Sequence, residues 1–269
     1  MAAPIRIAFL GGLGEIGRNC MVIEQDDKLL LIDCGLMFPD ADMHGIDLVL
    51  PDFTWLRENA DRVVACVATH GHEDHVGGLQ YLLRDLSFPV YGSDVTLGLA
   101  RNRIEEAGLL GRTELIVVRD GERRMIGPFD VEFIPVTHSV PHAFAVAVHT
   151  PQGVLLHSGD FKLDLTPVDG RRTDLARIGA IASTEGIRLL LCDSTNAEEH
   201  GHAPSETSIS GVLRAESLLP VLQVISTEFN RSLMPLLKLG ARWPRWVAQC
   251  RKMSAWPVIS GFFMFQMTR

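Results

Sequence analysis

The sequence predicts a mixed α/β fold in which strands outnumber helices. Short apolar runs bounded by turn residues recur along the chain, and several of them precede the first helical pattern. With 269 residues, of which 46% are hydrophobic, the chain can bury a substantial core. This composition excludes a disordered or collagen-like protein.

Turn signals and apolar periodicity place the individual elements. Asp26-Asp27 predicts a hairpin turn, and the continuous β-branched run at 63–69 is typical of a strand buried on both faces. Leucines at helical spacing predict a helix over 77–86, and a second helix is expected near 173–183. Strands are predicted at 5–10, 20–25, 28–33, 63–69, 114–120, 131–137, 144–150, 153–159 and 187–193.

The composition changes sharply near residue 213. Residues 214–269 contain eight Lys and Arg and two acidic residues, a net charge of +6. The preceding residues therefore hold 25 − 8 = 17 basic and 33 − 2 = 31 acidic side chains, a net charge of −14. All ten histidines lie before position 203. We therefore expect a boundary between 1–213 and a divergent tail, 214–269.

Cysteine usage and the amino-terminal sequence indicate the compartment. The five cysteines are widely spread and form no CxxC pair, which is typical of reduced thiols in a cytoplasmic protein. No signal peptide and no membrane-spanning run are expected from the sequence. The overall charge of −8 argues against an extended basic surface for nucleic acids.

The strongest chemical signal is His70-Gly-His72-Glu-Asp74-His75, directly after the strand at 63–69. Four potential metal ligands fall within six residues at a predicted strand-to-helix turn, where their side chains can converge. Imidazoles beside a carboxylate suit zinc or manganese, and no thiolate is present. The alternative is a histidine-rich surface loop without a metal.

Two further candidate ligands follow later strands. His138 comes after the strand at 131–137, and Asp160 comes after the strand at 153–159. A residue at such a position is commonly a capping or hydrogen-bonding group. Strand ends are also where active sites collect in α/β folds, so both side chains are candidates for the same metal cluster.

A competing motif is Gly12-x-Gly14-x-x-Gly17, with Asp33 lying 21 residues after Gly12. This spacing satisfies a dinucleotide-binding fingerprint. That fingerprint needs a helix between the glycines and the acidic residue, whereas residues 20–33 alternate like a hairpin. We therefore predict a turn near the metal cluster and no nucleotide cofactor.

The segments around these motifs resemble the bacterial ribonuclease J family, a β-CASP branch of the metallo-β-lactamase-fold nucleases. The resemblance covers roughly residues 5–213 and implies an αββα sandwich, incomplete at its C-terminal end. The matching segments are GGLGEIGRN (11–19), THGHEDHVGG (69–78), THSVPHA (137–143), SGDFKLD (158–164) and CDSTNAEEHGHAPSE (192–206).

The resemblance implies roles for individual residues. It implies one metal ion on three histidines and a second on Asp74 and His75, with Asp160 bridging the two. Asp74 would also orient a water or take its proton, and Asp33 would support the ligands from behind. The histidines of the first metal ion are His70, His72 and His138.

The resemblance also implies a substrate and partners. Such nucleases cleave RNA from the 5′ end or internally, in the cytoplasm, and form homo-oligomers. His142 occupies a position where the family carries an acidic residue, while His200 and His202 are expected to be loop residues.

The tail departs from the family, in which an RNA-contacting insert follows and a later histidine completes the second metal position. No histidine follows His202 here. One hypothesis is that residues 214–269 are encoded by the family's coding sequence read in the wrong frame. Codons that are compatible with residues 214–268 can be chosen so that a shifted frame encodes a sequence similar to the family's insert. A genuine but divergent segment is the alternative.

These departures leave two other functions open besides RNA cleavage. One is a non-catalytic metal-binding remnant, and the other is a different hydrolase of the same superfamily, acting on an ester or lactone.

Overall fold

The computed structural model describes residues 4–201, 204–208 and 263–266. Residues 1–203 and 261–269 form one compact unit, and 204–260 form a second, of which only 204–208 are described. Apart from 263–266, the predicted tail therefore lies outside the described residues, as do His202 and most of the segment to which the out-of-frame hypothesis applies.

The first unit contains twelve strands and five α-helices among its described residues. The strands are β1 (Arg6–Gly11), β2 (Cys20–Gln25), β3 (Lys28–Ile32), β4 (Val63–Val67), β5 (Val90–Gly92), β6 (Leu115–Val117), β7 (Arg123–Ile126), β8 (Phe129–Pro135), β9 (Phe144–Thr150), β10 (Gly153–His157), β11 (Ile187–Leu191) and β12 (Phe263–Gln266). The helices are α1 (Thr54–Glu58), α2 (Glu73–Val76), α3 (Leu79–Leu82), α4 (Asp94–Glu106) and α5 (Leu175–Thr184).

Two sheets form a sandwich. The first has the order β12-β1-β2-β3-β4-β5-β6, and the second has the order β11-β10-β9-β8-β7. Apolar side chains of both sheets meet in one core, for example Ile32 and Val67 from the first and Phe133 and Val146 from the second. Leucines of α1, α3 and α4 cover the outer face of the first sheet, and Ile181 of α5 covers that of the second. The predicted αββα arrangement is confirmed.

The β2–β3 hairpin is confirmed as well. Gln25 pairs with Lys28, and the two intervening residues, Asp26 and Asp27, have φ values of 50° and 60°. Two consecutive positive φ angles are the mark of a type I′ turn, which matches the twist of the flanking strands. A strand pair therefore occupies the place where the dinucleotide fingerprint requires a helix.

The helix predicted over 77–86 is shorter than expected. Gly77 and Gly78 separate α2 from α3, and the Gly78 amide donates to the carbonyl of Cys34 rather than to a helical partner. The chain continues as helical turns beyond Leu82, so Leu83 and Leu86 are still buried against the first sheet.

No helix in the described part of the chain is long and apolar enough to cross a bilayer.

The topology brings four strand ends to one edge. β3 and β4 are parallel neighbours, and β8 and β10 run in the same direction because both pair antiparallel with β9. The Phe144 amide donates to the carbonyl of Thr69, which joins the two sheets at this edge. The segments that follow these strands contain every residue predicted to bind metal.

Candidate metal centre

The segment His70–His75 forms a turn between β4 and α2. His72 is the residue before α2, with an extended ψ of 150°, and the helix begins at Glu73. An added Cβ at Gly71 would lie 2.5 Å from Leu99 Cδ1, so α4 packs closely against this turn. The local backbone therefore turns the imidazoles of the segment toward a common point.

Three imidazole nitrogens meet on one side of the centre. His70 Nε2 lies 3.0 Å from His72 Nδ1, and His138 Nε2 lies 3.2 Å from the same atom. The three rings are mutually close to perpendicular, with interplanar angles between 76° and 81°. This arrangement is compatible with three ligands around one cation.

A second group lies beside the first. His75 Nε2 is 3.6 Å from Asp74 Oδ2 and 3.3 Å from Asp160 Oδ1. The other carboxylate oxygen of Asp160, Oδ2, is 3.8 Å from Nε2 of both His70 and His138. Asp160 therefore faces each group with a different oxygen, and within each group all candidate ligand atoms lie within 4.8 Å of one another.

Asp33 holds the imidazole of His75 from behind. Its Oδ2 is 2.8 Å from His75 Nδ1 and accepts a hydrogen bond from the Thr69 hydroxyl at 2.8 Å, and its Oδ1 accepts one from the Thr69 amide at 2.7 Å. The Thr69 hydroxyl in turn lies 3.1 Å from His70 Nδ1. Because the Nδ1 atoms are engaged in this way, Nε2 of both histidines is directed at the centre.

The backbone after β3 runs alongside the ligand segment. The Cys34 amide donates to the carbonyl of His75, and the Leu36 amide donates to that of Glu73. Between them, an added Cβ at Gly35 would lie 1.6 Å from the carbonyl oxygen of Asp74. Only glycine permits this approach, so the Asp33–Leu36 segment fixes the position of Asp74 and His75.

Burial keeps two of the imidazoles neutral. Burial lowers the pKa of His70 well below its usual value, and the neighbouring histidines add to the effect. The pKa of His138 falls to about 4, again mainly because of burial, although Asp160 opposes the shift. Neutral imidazoles have a free lone pair, which is the form that binds a metal ion.

The charged groups of the centre sit around His75. Burial disfavours its imidazolium, but the carboxylates of Asp33 and Asp160 outweigh this effect and raise the pKa of His75 well above its usual value. Burial alone would raise the pKa of Asp160, but the hydrogen bond and the charge of His75 lower it.

The donor set fits divalent cations. Nitrogen and oxygen ligands without thiolates are common in catalytic zinc sites and also suit manganese. Around a tetrahedral zinc ion with Zn–N distances of 2.0–2.1 Å, two ligand atoms are about 3.4 Å apart. The imidazole nitrogens of the first group are 3.0 and 3.2 Å apart, close to this value.

The other histidines singled out in the sequence lie elsewhere. His142 Nδ1 is 2.9 Å from Asp94 Oδ1, at the start of α4, and His142 has a positive φ of 61°. His200 is exposed. Two residues that contact the candidate ligands, Asn19 and Thr69, were not predicted, because neither side chain is a typical metal ligand.

A two-sheet sandwich with imidazoles and carboxylates meeting at its strand ends defines a class of metal-binding proteins. The model of the Metallo-beta-lactamase superfamily matches residues 13–190, and the chain belongs to this superfamily.

Among curated proteins, the chain is similar to ribonuclease J from Synechocystis sp., at 49% identity over 207 residues. This match covers 76% of the chain and 32% of the relative. Ribonuclease J from Mycobacterium tuberculosis is 44% identical over 210 residues, which cover 78% of the chain and 37% of that protein. The chain thus spans about a third of the length of these relatives.

One solved structure, a protein of unknown function from Enterococcus faecalis V583, aligns with a TM-score of 0.59 at 18% identity. The alignment covers 80% of this chain and 57% of that one. At this identity, the likeness concerns the fold alone.

Proposed function

We propose that the chain carries the metal centre of an RNA phosphodiesterase that uses a water activated between two divalent cations, zinc or manganese. The observation that carries the proposal is the position of Asp160. One of its oxygens faces His70 and His138 and the other faces His75, which is the position of a carboxylate shared by two ions.

The chain's own residues divide into two sets in this proposal. His70, His72 and His138 would hold one ion, Asp74 and His75 the other, and Asp160 both. Such a pair of ions lowers the pKa of a bound water and stabilises the charge that develops on a phosphodiester.

Asp74 is the proposed general base. Its side chain is 30% exposed, whereas that of His75 is 2% exposed, so Asp74 is the member of this pair that an incoming water reaches. From there its carboxylate would orient the water and accept its proton. Asp33 has a supporting role, because it is buried and contacts His75 rather than the centre's open side.

RNA is the proposed substrate because the curated relatives at 49% and 44% identity are ribonucleases J. The proposed reaction is removal of nucleotides from the 5′ end or internal cleavage. The free thiols of Cys20, Cys34 and Cys66 agree with a cytoplasmic location.

The test is cleavage of a 5′-monophosphorylated RNA by the full chain with zinc or manganese. We expect release of 5′ mononucleotides or internal fragments, and its loss in His72→Ala. His44→Ala is the matched control, because His44 is exposed and lies outside both ligand groups.

Two results would contradict the proposal. Metal binding without RNA cleavage indicates a non-catalytic metal-binding protein. Hydrolysis of an ester or lactone without RNA cleavage indicates another hydrolase of the superfamily.

A further inference from the structure

The loop between β1 and β2 carries the glycine motif for which no role has been assigned. Gly12, Gly14 and Gly17 all have left-handed backbone angles, with φ of 82°, 72° and 109°. The loop ends at Asn19, which directly precedes β2 and lies beside the second ligand group.

Asn19 is fixed by its backbone on both sides. Its amide donates to the carbonyl of Asp74, and its own carbonyl accepts from the amide of Gly35. The residue therefore bridges the ligand segment and the segment that follows β3. Both contacts involve the main chain and do not depend on the asparagine side chain.

The side-chain amide of Asn19 reaches the candidate ligands themselves. Nδ2 donates to the carbonyl of Asp74 at 3.1 Å and lies 3.4 Å from Asp74 Oδ2. The same nitrogen is 3.0 Å from His75 Nε2. The side-chain amide thus donates to Asp74 and lies beside His75, the two members of the second group that are not shared with the first.

Gly12 provides the space for this amide. An added Cβ at Gly12 would lie 2.4 Å from Asn19 Oδ1 and 3.0 Å from Asn19 Cα. At Gly14, by contrast, an added Cβ would meet nothing within 4 Å. Gly12 therefore leaves room for the Asn19 side chain. It also has a left-handed backbone conformation, as Gly14 and Gly17 do.

We propose that Asn19 is a positioning residue for the second metal position, where its side-chain amide holds Asp74 facing His75 and Asp160, in a space that Gly12 leaves open. This inference rests on the proposed function, since it assigns a role within the same two-ion centre.

The test is calorimetric titration of the metal-free full chain with Zn²⁺, followed by Co²⁺ titration monitored by visible absorption. In Asn19→Ala, we expect the second equivalent to bind about 10- to 100-fold more weakly, as is typical when a partner of a metal ligand is removed. The first equivalent should be unchanged, and the absorption of the second Co²⁺ ion should change in shape.

Asn59→Ala is the matched control. The Asn59 amide also donates to a backbone carbonyl, that of Trp55 at 2.8 Å, but Asn59 lies outside the metal centre. If Asn19→Ala does not fold, Asn19→Gln carries the same test, because it keeps the amide but displaces it by one methylene group.

Two results would count against the inference, and they differ. Equal affinity of Asn19→Ala and wild type for both equivalents, even with a lower unfolding midpoint, means that Asn19 is merely structural and overturns the inference alone. A wild-type chain that binds no second ion overturns the two-ion function and the inference with it.

Discussion

Asp33 and His75 form a buried ion pair, with 2.8 Å between Oδ2 and Nδ1 and with 1% and 2% of their side chains exposed. Asp33→Ala leaves the His75 imidazolium buried without its main counter-charge. We expect the free energy of unfolding of the metal-free protein to fall by about 3–5 kcal/mol, as measured by chemical denaturation. Asp33→Asn, which keeps an acceptor, should cost less. Equal stability of wild type and Asp33→Ala would contradict this role.

The raised pKa of His75 makes metal binding dependent on pH. Because the folded pKa exceeds the unfolded value of about 6.5, the pair's contribution to metal-free stability is complete below that pH. It is lost as the pH rises through the folded pKa. A metal ion on His75 must displace a proton, so its affinity should rise over the same range.

Calorimetry in two buffers of different ionisation enthalpy measures the protons released. At pH 7, wild type should release more protons per metal ion than Asp33→Asn, in which Asp33 no longer contributes to raising the pKa of His75 and Asp160 alone does so. The same proton release from both proteins would argue against the ion pair.

Glu132 forms an acid-sensitive interaction outside the two groups of candidate metal ligands. Glu132 is 3% exposed. Its carboxylate accepts hydrogen bonds from Arg177 Nε at 2.5 Å and from Arg177 Nη2 at 2.8 Å, and it lies 2.9 Å from His149 Nε2. Although burial opposes the shift, these partners lower the pKa of Glu132. Its contribution to stability is therefore present above the unfolded pKa of about 4.3 and is lost as the pH falls through the folded pKa.

Glu132→Gln should accordingly lose about 1.5–3 kcal/mol at pH 7, the range for hydrogen bonds to charged groups. Its stability should also depend less on pH below about 4.3. Denaturation curves at several pH values check both points, and parallel pH profiles of variant and wild type would contradict the second.

Gly35→Ala tests the close approach of two backbone segments. Its Cβ would overlap the carbonyl oxygen of Asp74, so the ligand segment must move. We expect the free energy of unfolding to fall by about 1–3 kcal/mol and the affinity for the metal ion to decrease. Gly179→Ala is the control, because Gly179 lies in α5 with nothing within 4 Å of an added Cβ. That change should stabilise the protein by about 0.5–1 kcal/mol, and a similar effect of both substitutions would contradict the explanation.

Much of the candidate centre could be predicted because the candidate ligands follow strands with strong apolar runs. The continuous apolar run of β4 identified the strand before His70, and the runs of β8 and β10 did the same for His138 and Asp160. Strand ends on one edge of a fold converge whatever the lengths of the connections. The structure brings the six candidate residues together in two groups that share Asp160, and their roles as metal ligands stay predictions.

What could not be predicted depends on contacts distant in sequence or on weak local patterns. Asn19 meets Asp74 across 55 residues; the glycines before it predicted a turn near the metal cluster, but not which side chain of that loop contacts the candidate ligands. In helix α4, the buried apolar residues Leu97, Ala100 and Ile104 are few and stand among polar residues, so the apolar pattern is weak. Ser93 caps the start of this helix. Strand β5 is three residues long, too short for a period to be recognised.

Anomalous X-ray diffraction at the zinc or manganese absorption edge, from crystals of the metal-loaded full chain, tests the two-ion centre most directly. We predict two peaks that share Asp160, one among His70, His72 and His138 and the other beside Asp74 and His75. A single peak, or peaks away from these side chains, would contradict it.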